Sequence, residues 1–576
     1  MARTDIRVDE LIQQYLRREL ALPEMQRRYV WPGTRVRDLL DSLYRGYPAG
    51  TILVWETTED VALRDAAVEQ EAPAFHAQRL LLDGQQRITS LAAVLAGKPV
   101  TVRGRKKPVE ILFNLDHPDE LEVVTEVDDG SGDDASDEDE LADNDAPDSD
   151  EEELLKRFEK MAFVVGTKRL AQLPNWVSVS EVFKDGSDRP FLKKAGVADF
   201  NDPRYDKYSS RLERLREIRN YLFGMEVLPS SMNYDEVTEV FVRVNSLGAK
   251  LRGSDLALAQ VTAKWRNSLA IFEKFDDSCA AQGFDFDLSL HIRNLVVIAT
   301  AQSRFRRVRG MSSALLENGW SECRPAMEYA LSFLKSNAQI DSPALLSSPY
   351  LALALALAYF GHKRMYQVSQ DEAEALRRWV LLANAKGRYS RSSSETLLDE
   401  DLAVLRADGS VDGLIERLRR QVGTLEVTPS DLEGRNKRSA FFKTMFLAFR
   451  ANGAKDWHSN VGIALDHPGQ QQRLQCHHIF PKAHLDGVYK LRQVNDIANL
   501  AFIAGRANRK ISASDPSKYI PELLERHGDH IFRAQCVPTD PALLPRDCFP
   551  EFLAERRRLI AIRLNEFLSV ASLPST

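Results

Sequence analysis

Arg79-Leu80-Leu81-Leu82-Asp83-Gly84-Gln85-Gln86-Arg87 passes from three consecutive leucines into a polar, glycine-containing turn. Ile88 to Ala96 then continues with apolar residues at helical spacing. A strand that turns directly into a helix leaves the first N–H groups of the helix unpaired, and the helix dipole favours an anion there. Gly84 permits close backbone approach. Arg87 can fork onto phosphate oxygens, Gln85 and Gln86 can donate further hydrogen bonds, and Asp83 can hold a metal or orient Arg87. The plain alternative is a tight strand-to-helix turn bearing surface amides. The string is not a Walker P-loop and does not choose between the two.

On either side of this string, Leu11 to Leu20 and Val36 to Tyr44 read as amphipathic helices, while Gly50 to Trp55 and Val109 to Leu115 read as strands. Phe163 to Val165, Trp176 to Val179 and Phe223 to Leu228 add strands. Tyr205 to Tyr221, Asp235 to Val244 and Ser254 to Ser268 add helices. Residues from about 270 to 450 alternate apolar stripes with charged faces and read as all helix, with no obvious chemistry. The last 110 or so residues turn mixed again. The expected class is α+β and multidomain: a mixed domain over 1–265, a helical middle over 266–438 and a further domain over 439–576.

The chain has 576 residues and a formal net charge of -7. Residues 128–153 hold 15 Asp and Glu and no Lys or Arg. Such a run cannot bury apolar surface, so disorder is expected. It reads as a solvated loop, or alternatively as a DNA mimic shielding a basic groove. Without it the chain is mildly basic, which permits a nucleic-acid partner. Cys279, Cys323, Cys476, Cys536 and Cys548 are odd in number, scattered and free of Cys-x-x-Cys spacing. That argues against a disulfide framework and a four-cysteine zinc site. Charges in the first seven residues argue against a secretion signal. The apolar run Tyr350 to Phe360 is far short of the ~20 residues a membrane span needs. A soluble cytoplasmic protein with no membrane partner is expected.

Three strings in order carry a resemblance: Gln26-Arg27-Arg28-Tyr29-Val30-Trp31, the Gly46 to Gly50 turn with Pro48 at its centre, and Asp83 to Arg87. With Glu239 to Leu251, which contains Arg243, Asn245 and Gly248, they resemble the N-terminal domain of GmrSD-type, modification-dependent (type IV) restriction endonucleases. The resemblance covers roughly residues 5–265 and implies a ParB-like domain that binds, and in studied members hydrolyses, a nucleoside triphosphate. It assigns that role to Gln26, Arg27, Asp83, Gly84, Gln85, Gln86, Arg87, Arg243 and Asn245. Tyr29 and Trp31 either stack on a base or sit in the core.

A second constellation lies downstream: Gln475-Cys476-His477-His478-Ile479-Phe480-Pro481, then Asn495 to Ile503, then Arg506-Ala507-Asn508-Arg509-Lys510. It reads as strand, loop, strand, helix and resembles the ββα-metal finger of HNH nucleases. The surrounding residues, about 439–520, resemble the HNH domain that partners the GmrSD N-terminal domain. A metal must neutralise charge on the scissile phosphate, a base must take a proton from water, and imidazole suits that near neutral pH. The resemblance makes His478 the general base, with Asn499 orienting it. It makes His477 and Asn508 the metal ligands, and Arg506, Arg509 and Lys510 the grip on the DNA backbone. His477 stands where many relatives carry an acid. A neutral ligand shifts preference from Mg²⁺ towards Mn²⁺, Ni²⁺ or Zn²⁺. Asn508 stands in place of His. His484 is a further ligand candidate or a plain surface or core histidine.

The function so implied is a nucleotide-regulated, metal-dependent DNA endonuclease acting in anti-phage restriction on double-stranded DNA, modified phage DNA included. The alternative is a nucleotide-switched DNA-binding protein whose finger is inactive or holds structural zinc. A ribonuclease toxin ranks behind both, because no RNA-binding aromatic string is present. The identities of nucleotide and DNA modification are open, as is oligomeric state, a homo-oligomer included.

Overall fold

The fold is a computed structural model that describes residues 2–26, 29, 31–59, 61–64, 70, 79–97, 110–121, 158–167, 169–197, 199–247, 253–348, 368–390, 394–407, 411–465 and 474–569. The acidic run 128–153 and the apolar run 350–360 lie outside the described residues. The chain divides into two units, Met1–Leu269 and Ala270–Thr576.

In the first unit the three-leucine strand sits near the middle of a six-stranded mixed sheet. Its strands are β1 (Ala2–Arg7), β2 (Leu20–Pro23), β3 (Ile52–Glu56), β4 (Leu63–Arg64), β5 (Arg79–Asp83) and β9 (Leu222–Leu228), in the order β1-β9-β3-β5-β2-β4. β3 pairs antiparallel with β5 and parallel with β9. Successive side chains of a strand point to opposite faces. Ile52, Val54 and Leu81 therefore enter one core, and Leu53, Trp55, Leu80 and Leu82 enter another. A sheet covered on both faces explains why these strands are continuously apolar rather than alternating.

The first core is closed by α1 (Val8–Leu16), α2 (Gly33–Arg45), α3 (Gln85–Leu95) and a small antiparallel sheet. That sheet comprises β6 (Ile111–Asn114), β7 (Phe163–Val165) and β8 (Trp176–Ser178), in the order β7-β6-β8. The second core is closed by Val237 and Phe241 of the helix Tyr234–Leu247 and by Ala259 of the helix Gly253–Lys264.

Most sequence-read elements of this unit stand within a few residues of their expected ends. Three strands have no counterpart in the expectation: β1, β2 and the two-residue β4. β1 is polar, with only Ile6 buried, and is held by backbone pairing with β9. β2 begins at Leu20, where a helix was expected to end; that helix stops at Leu16. The charged helix from Tyr205 ends at Arg216 and tightens into a 3₁₀ turn over Glu217–Asn220.

The second unit is helical among its described residues up to Ala451. Beyond that, β10 (Leu474–His478) pairs antiparallel with β11 (Leu500–Ala504), and the helix Gly505–Ile511 follows directly. Phe502 of β11 lies among the rings of Phe442, Phe446 and Phe449, on the helix Ala440–Ala451. Gln535 accepts from Phe502 N (2.9 Å) and donates to Phe502 O (2.9 Å), closing the free edge of β11. Asp456 accepts from Ala504 N.

Candidate functional site

The β5–α3 junction is built by positive-φ glycines. Gly84 caps α3 at φ +100, and a Cβ there would lie 2.5 Å from Ile52 Cδ1. Gly50 has φ +86, and a Cβ there would lie 2.2 Å from Arg87 Nη1. The turn ending in Gly50 therefore packs directly on the Arg87 guanidinium. Arg87 donates to Ala49 O (2.6 Å), Thr51 O (2.7 Å) and Asp83 Oδ2 (3.2 Å). Burial lowers its pKa, and Asp83 opposes that. The guanidinium expected to grip phosphate thus ties the Gly46–Gly50 turn to the helix start, and Asp83 orients it.

Gln26 is buried and donates through Nε2 to Leu81 O and Leu82 O at the end of β5. Gln86 Oε1 accepts from Trp31 N (3.2 Å). Gln85 is buried, and its Oε1 meets no hydrogen-bond partner. No side chain caps the first turn of α3. Tyr29 is a core residue whose hydroxyl meets Ser90 Oγ (2.8 Å), and Trp31 packs against the same core. Arg243 is exposed and pairs with Glu239 on its own helix. Asn245 lies on that helix, its side chain outside the described part, and Arg27 is outside it altogether.

In the second unit, strand alternation sends His477 and His478 to opposite faces of β10. His477 is 3% exposed, and its Nδ1 lies 2.8 Å from Asn508 Oδ1. Asn508 Nδ2 donates to Gln475 Oε1 (2.7 Å). Gln475 and His477, two apart on one strand, thus share Asn508. The other ring nitrogen of His477 is buried without a hydrogen-bond partner, with the Trp457 and Tyr519 rings edge-on to the imidazole. His478 Nε2 lies 3.1 Å from Asn495 Oδ1. Burial lowers the pKa of both imidazoles to about 4, so both are neutral at pH 7.

Asn499 is fully buried and does not touch the His478 ring in any hydrogen bond seen here. Its Oδ1 accepts from Phe480 N (2.9 Å), and its Nδ2 donates to Phe480 O (3.1 Å) and Val494 O (2.9 Å). Its own carbonyl accepts from Ile479 N. Asn499 therefore fixes the chain leaving β10, while Asn495 meets the imidazole. The sequence carried a signal for Asn495, an amide one helical turn before Asn499 in the same string. Asp496 between them is fully buried and accepts from Ala498 N, Gly434 N and Arg557 Nη2.

Arg506, Arg509 and Lys510 are exposed on the helix carrying Asn508. His484 is half-buried on the helix Lys482–Leu485 beside Asp515. Among the described residues no group of three or more His, Cys, Asp or Glu side chains is disposed to hold a metal. Among them, too, no helix is long and apolar enough to cross a membrane.

Both sites being in view, comparison with known proteins bears on the first. Residues 8–262 match the GmrSD restriction endonuclease N-terminal domain. The matched span lies within the first unit and contains the whole β5–α3 junction. The match is a likeness to that domain over less than half of the chain. An uncharacterized protein of Methanocaldococcus jannaschii is 22% identical over 547 residues, covering 90% of this chain and 86% of the relative. That similarity runs through both units.

Proposed function

We propose that the chain is a nucleotide-regulated DNA endonuclease of the HNH type, active in modification-dependent restriction of phage DNA. The observation that carries this reading is the neutral His478 imidazole, held by Asn495 one residue from the His477–Asn508 pair.

With Asn495 Oδ1 accepting, Nε2 of His478 carries the proton and Nδ1 keeps a lone pair. A neutral imidazole so oriented is a general base for water. Asn499 holds the strand exit that sets where the ring points. His477 Nδ1 and Asn508 Oδ1 would hold a divalent cation. Their 2.8 Å separation suits adjacent ligands of one ion, whose own distances are about 2.1 Å. A bound cation supplies charge neutralisation at the scissile phosphate and the leaving oxygen. Two neutral protein ligands favour Mn²⁺, Ni²⁺ or Zn²⁺ over Mg²⁺. Arg506, Arg509 and Lys510 would contact flanking phosphates.

In the first unit, the uncapped first turn of α3 is the phosphate cradle for a nucleoside triphosphate. Arg87, Asp83 and Gln26 shape that cradle, with Gln85, Gln86, Arg27, Arg243 and Asn245 completing the nucleotide site. Nucleotide occupancy regulates cutting.

A second reading, a nucleotide-switched DNA-binding protein with an inactive finger, is favoured by one observation. The non-ligating nitrogen of His477 has no acceptor, whereas metal-bound histidines ordinarily donate from theirs.

The deciding assay incubates supercoiled plasmid, unmodified or carrying modified bases, with the protein, Mg²⁺ or Mn²⁺, and each nucleoside triphosphate in turn. Nicking or linearisation that depends on metal and changes with nucleotide is expected. DNA binding without cutting under every condition would hand the account to the second reading.

A further inference from the structure

The helical part of the second unit carries a feature that the finger does not use. From residue 302 to 316 the chain holds four arginines, at 304, 306, 307 and 309, and no Asp or Glu. The segment opens at Ala301, which ends the helix Leu288–Thr300 in left-handed backbone at φ 51. A non-glycine residue held there stores strain, and such strain clusters at functional sites.

The surroundings fix the segment. Ser303 is fully buried and donates from its N to Asp399 Oδ1 (2.7 Å). Arg293 donates to Ser303 O (3.0 Å) and Glu395 Oε1 (2.9 Å), and its guanidinium lies 4.3 Å from the Phe305 ring centroid. Asp399 and Glu395 both belong to the helix Ser394–Ala407. Between this segment and that helix lies a cleft of about 350 Å³, lined by Gln302, Arg304, Arg306, Asp399 and Arg406 among others. Asp399, the carboxylate on its wall, already accepts from Ser303 N and lies 3.5 Å from Arg304 Nε. Arg306 and Arg406 are exposed, and no carboxylate among the described residues pairs with them.

We propose that this cleft grips the phosphate backbone of DNA, as a second contact apart from the finger. Guanidinium forks suit phosphate oxygens, and a wall anchored by buried hydrogen bonds presents them at little ordering cost. The arginine run continues past the cleft to Arg307 and Arg309, which suits an extended polyanion better than a single phosphate group. The proposal rests on the DNA endonuclease reading and gives it a binding surface in the helical region.

The test measures affinity of the full-length chain for a fluorescent duplex, in chelator to prevent cutting, over a salt series. The proteins are the wild type, Arg306→Ala/Arg406→Ala and Arg306→Lys/Arg406→Lys. The alanine variant should bind several-fold more weakly, with a log–log salt slope shallower by about 1.8, roughly 0.9 for each lost phosphate contact. The lysine variant should keep the slope. Both side chains are exposed, so unchanged thermal unfolding is expected. If the wild type binds and the alanine variant matches it in affinity and slope, the cleft assignment falls and the endonuclease reading stands. If the wild type binds no DNA, both fall. Loss of tripolyphosphate binding with DNA affinity intact would overturn DNA as the ligand.

Discussion

Asn495 and Asn499 show how two similar residues divide one task. Asn495 accepts from the imidazole, while Asn499 holds the backbone beyond it. Asn495 acts as a positioning residue, so Asn495→Ala should lower kcat of plasmid cleavage by about 10- to 100-fold with KM little changed. Asn495→Asp should restore most of the rate and move the acid limb of the pH profile upward, because a carboxylate stabilises the imidazolium. Equal loss in both variants with an unmoved profile would mark Asn495 as structural only. Gly84 is a sharper case of backbone demand. At φ +100, with Ile52 Cδ1 2.5 Å from a Cβ, Gly84→Ala should cost about 1–3 kcal/mol in urea unfolding. At this scale the His pair and the asparagines could be read in the sequence. Which amide meets which imidazole could not, because that depends on the β10–β11 register and on loop closure. Period-two reading does recover one pairing, since Gln475 and His477 share a face. What Arg87 meets could not be read for a related reason: its carbonyl partners lie 36 and 38 residues away in sequence.

At the scale of elements, the three-leucine strand and the helix after it were legible because a local apolar pattern decides them. β1 was not, because a polar edge strand is made by its partner β9 rather than by its own side chains. Buried polar groups couple neighbouring elements, and two of them give measurable consequences. His117 is 3% exposed, receives Tyr44 Oη at Nε2 (3.1 Å), and has its pKa lowered by burial from 6.5 to about 4. The unfolded chain takes up this proton first on acidification. Its contribution is therefore intact above pH 6.5 and is lost as pH falls towards 4, by about 3 kcal/mol in all. His117→Asn should flatten that part of the stability–pH curve of the first unit, and an unchanged curve would refute the assignment. Asp496, fully buried against Arg557, joins the Asn495–Asn499 turn to the helix Phe549–Ser569 and to Gly434. Asp496→Ala strands a mostly buried guanidinium and should cost about 3–5 kcal/mol, read by denaturant unfolding.

Over the whole molecule, the two constellations lie in different units, and the domain match covers the first alone. The order of the motifs in the sequence already indicated that separation. The motifs gave no account of the helices between them, because stripes of apolar residues report burial and not chemistry. There the arginine cleft emerges only when the 302–309 segment is seen folded against the helix Ser394–Ala407. The proposed function turns on His478 as the base of a metal-dependent nuclease. The most direct measurement compares wild type with His478→Ala on supercoiled plasmid in Mn²⁺, with and without nucleotide, after matched unfolding curves. Metal-dependent nicking by the wild type and none by the variant is expected. Equal cutting by both proteins, or none by either with DNA still bound, would contradict it.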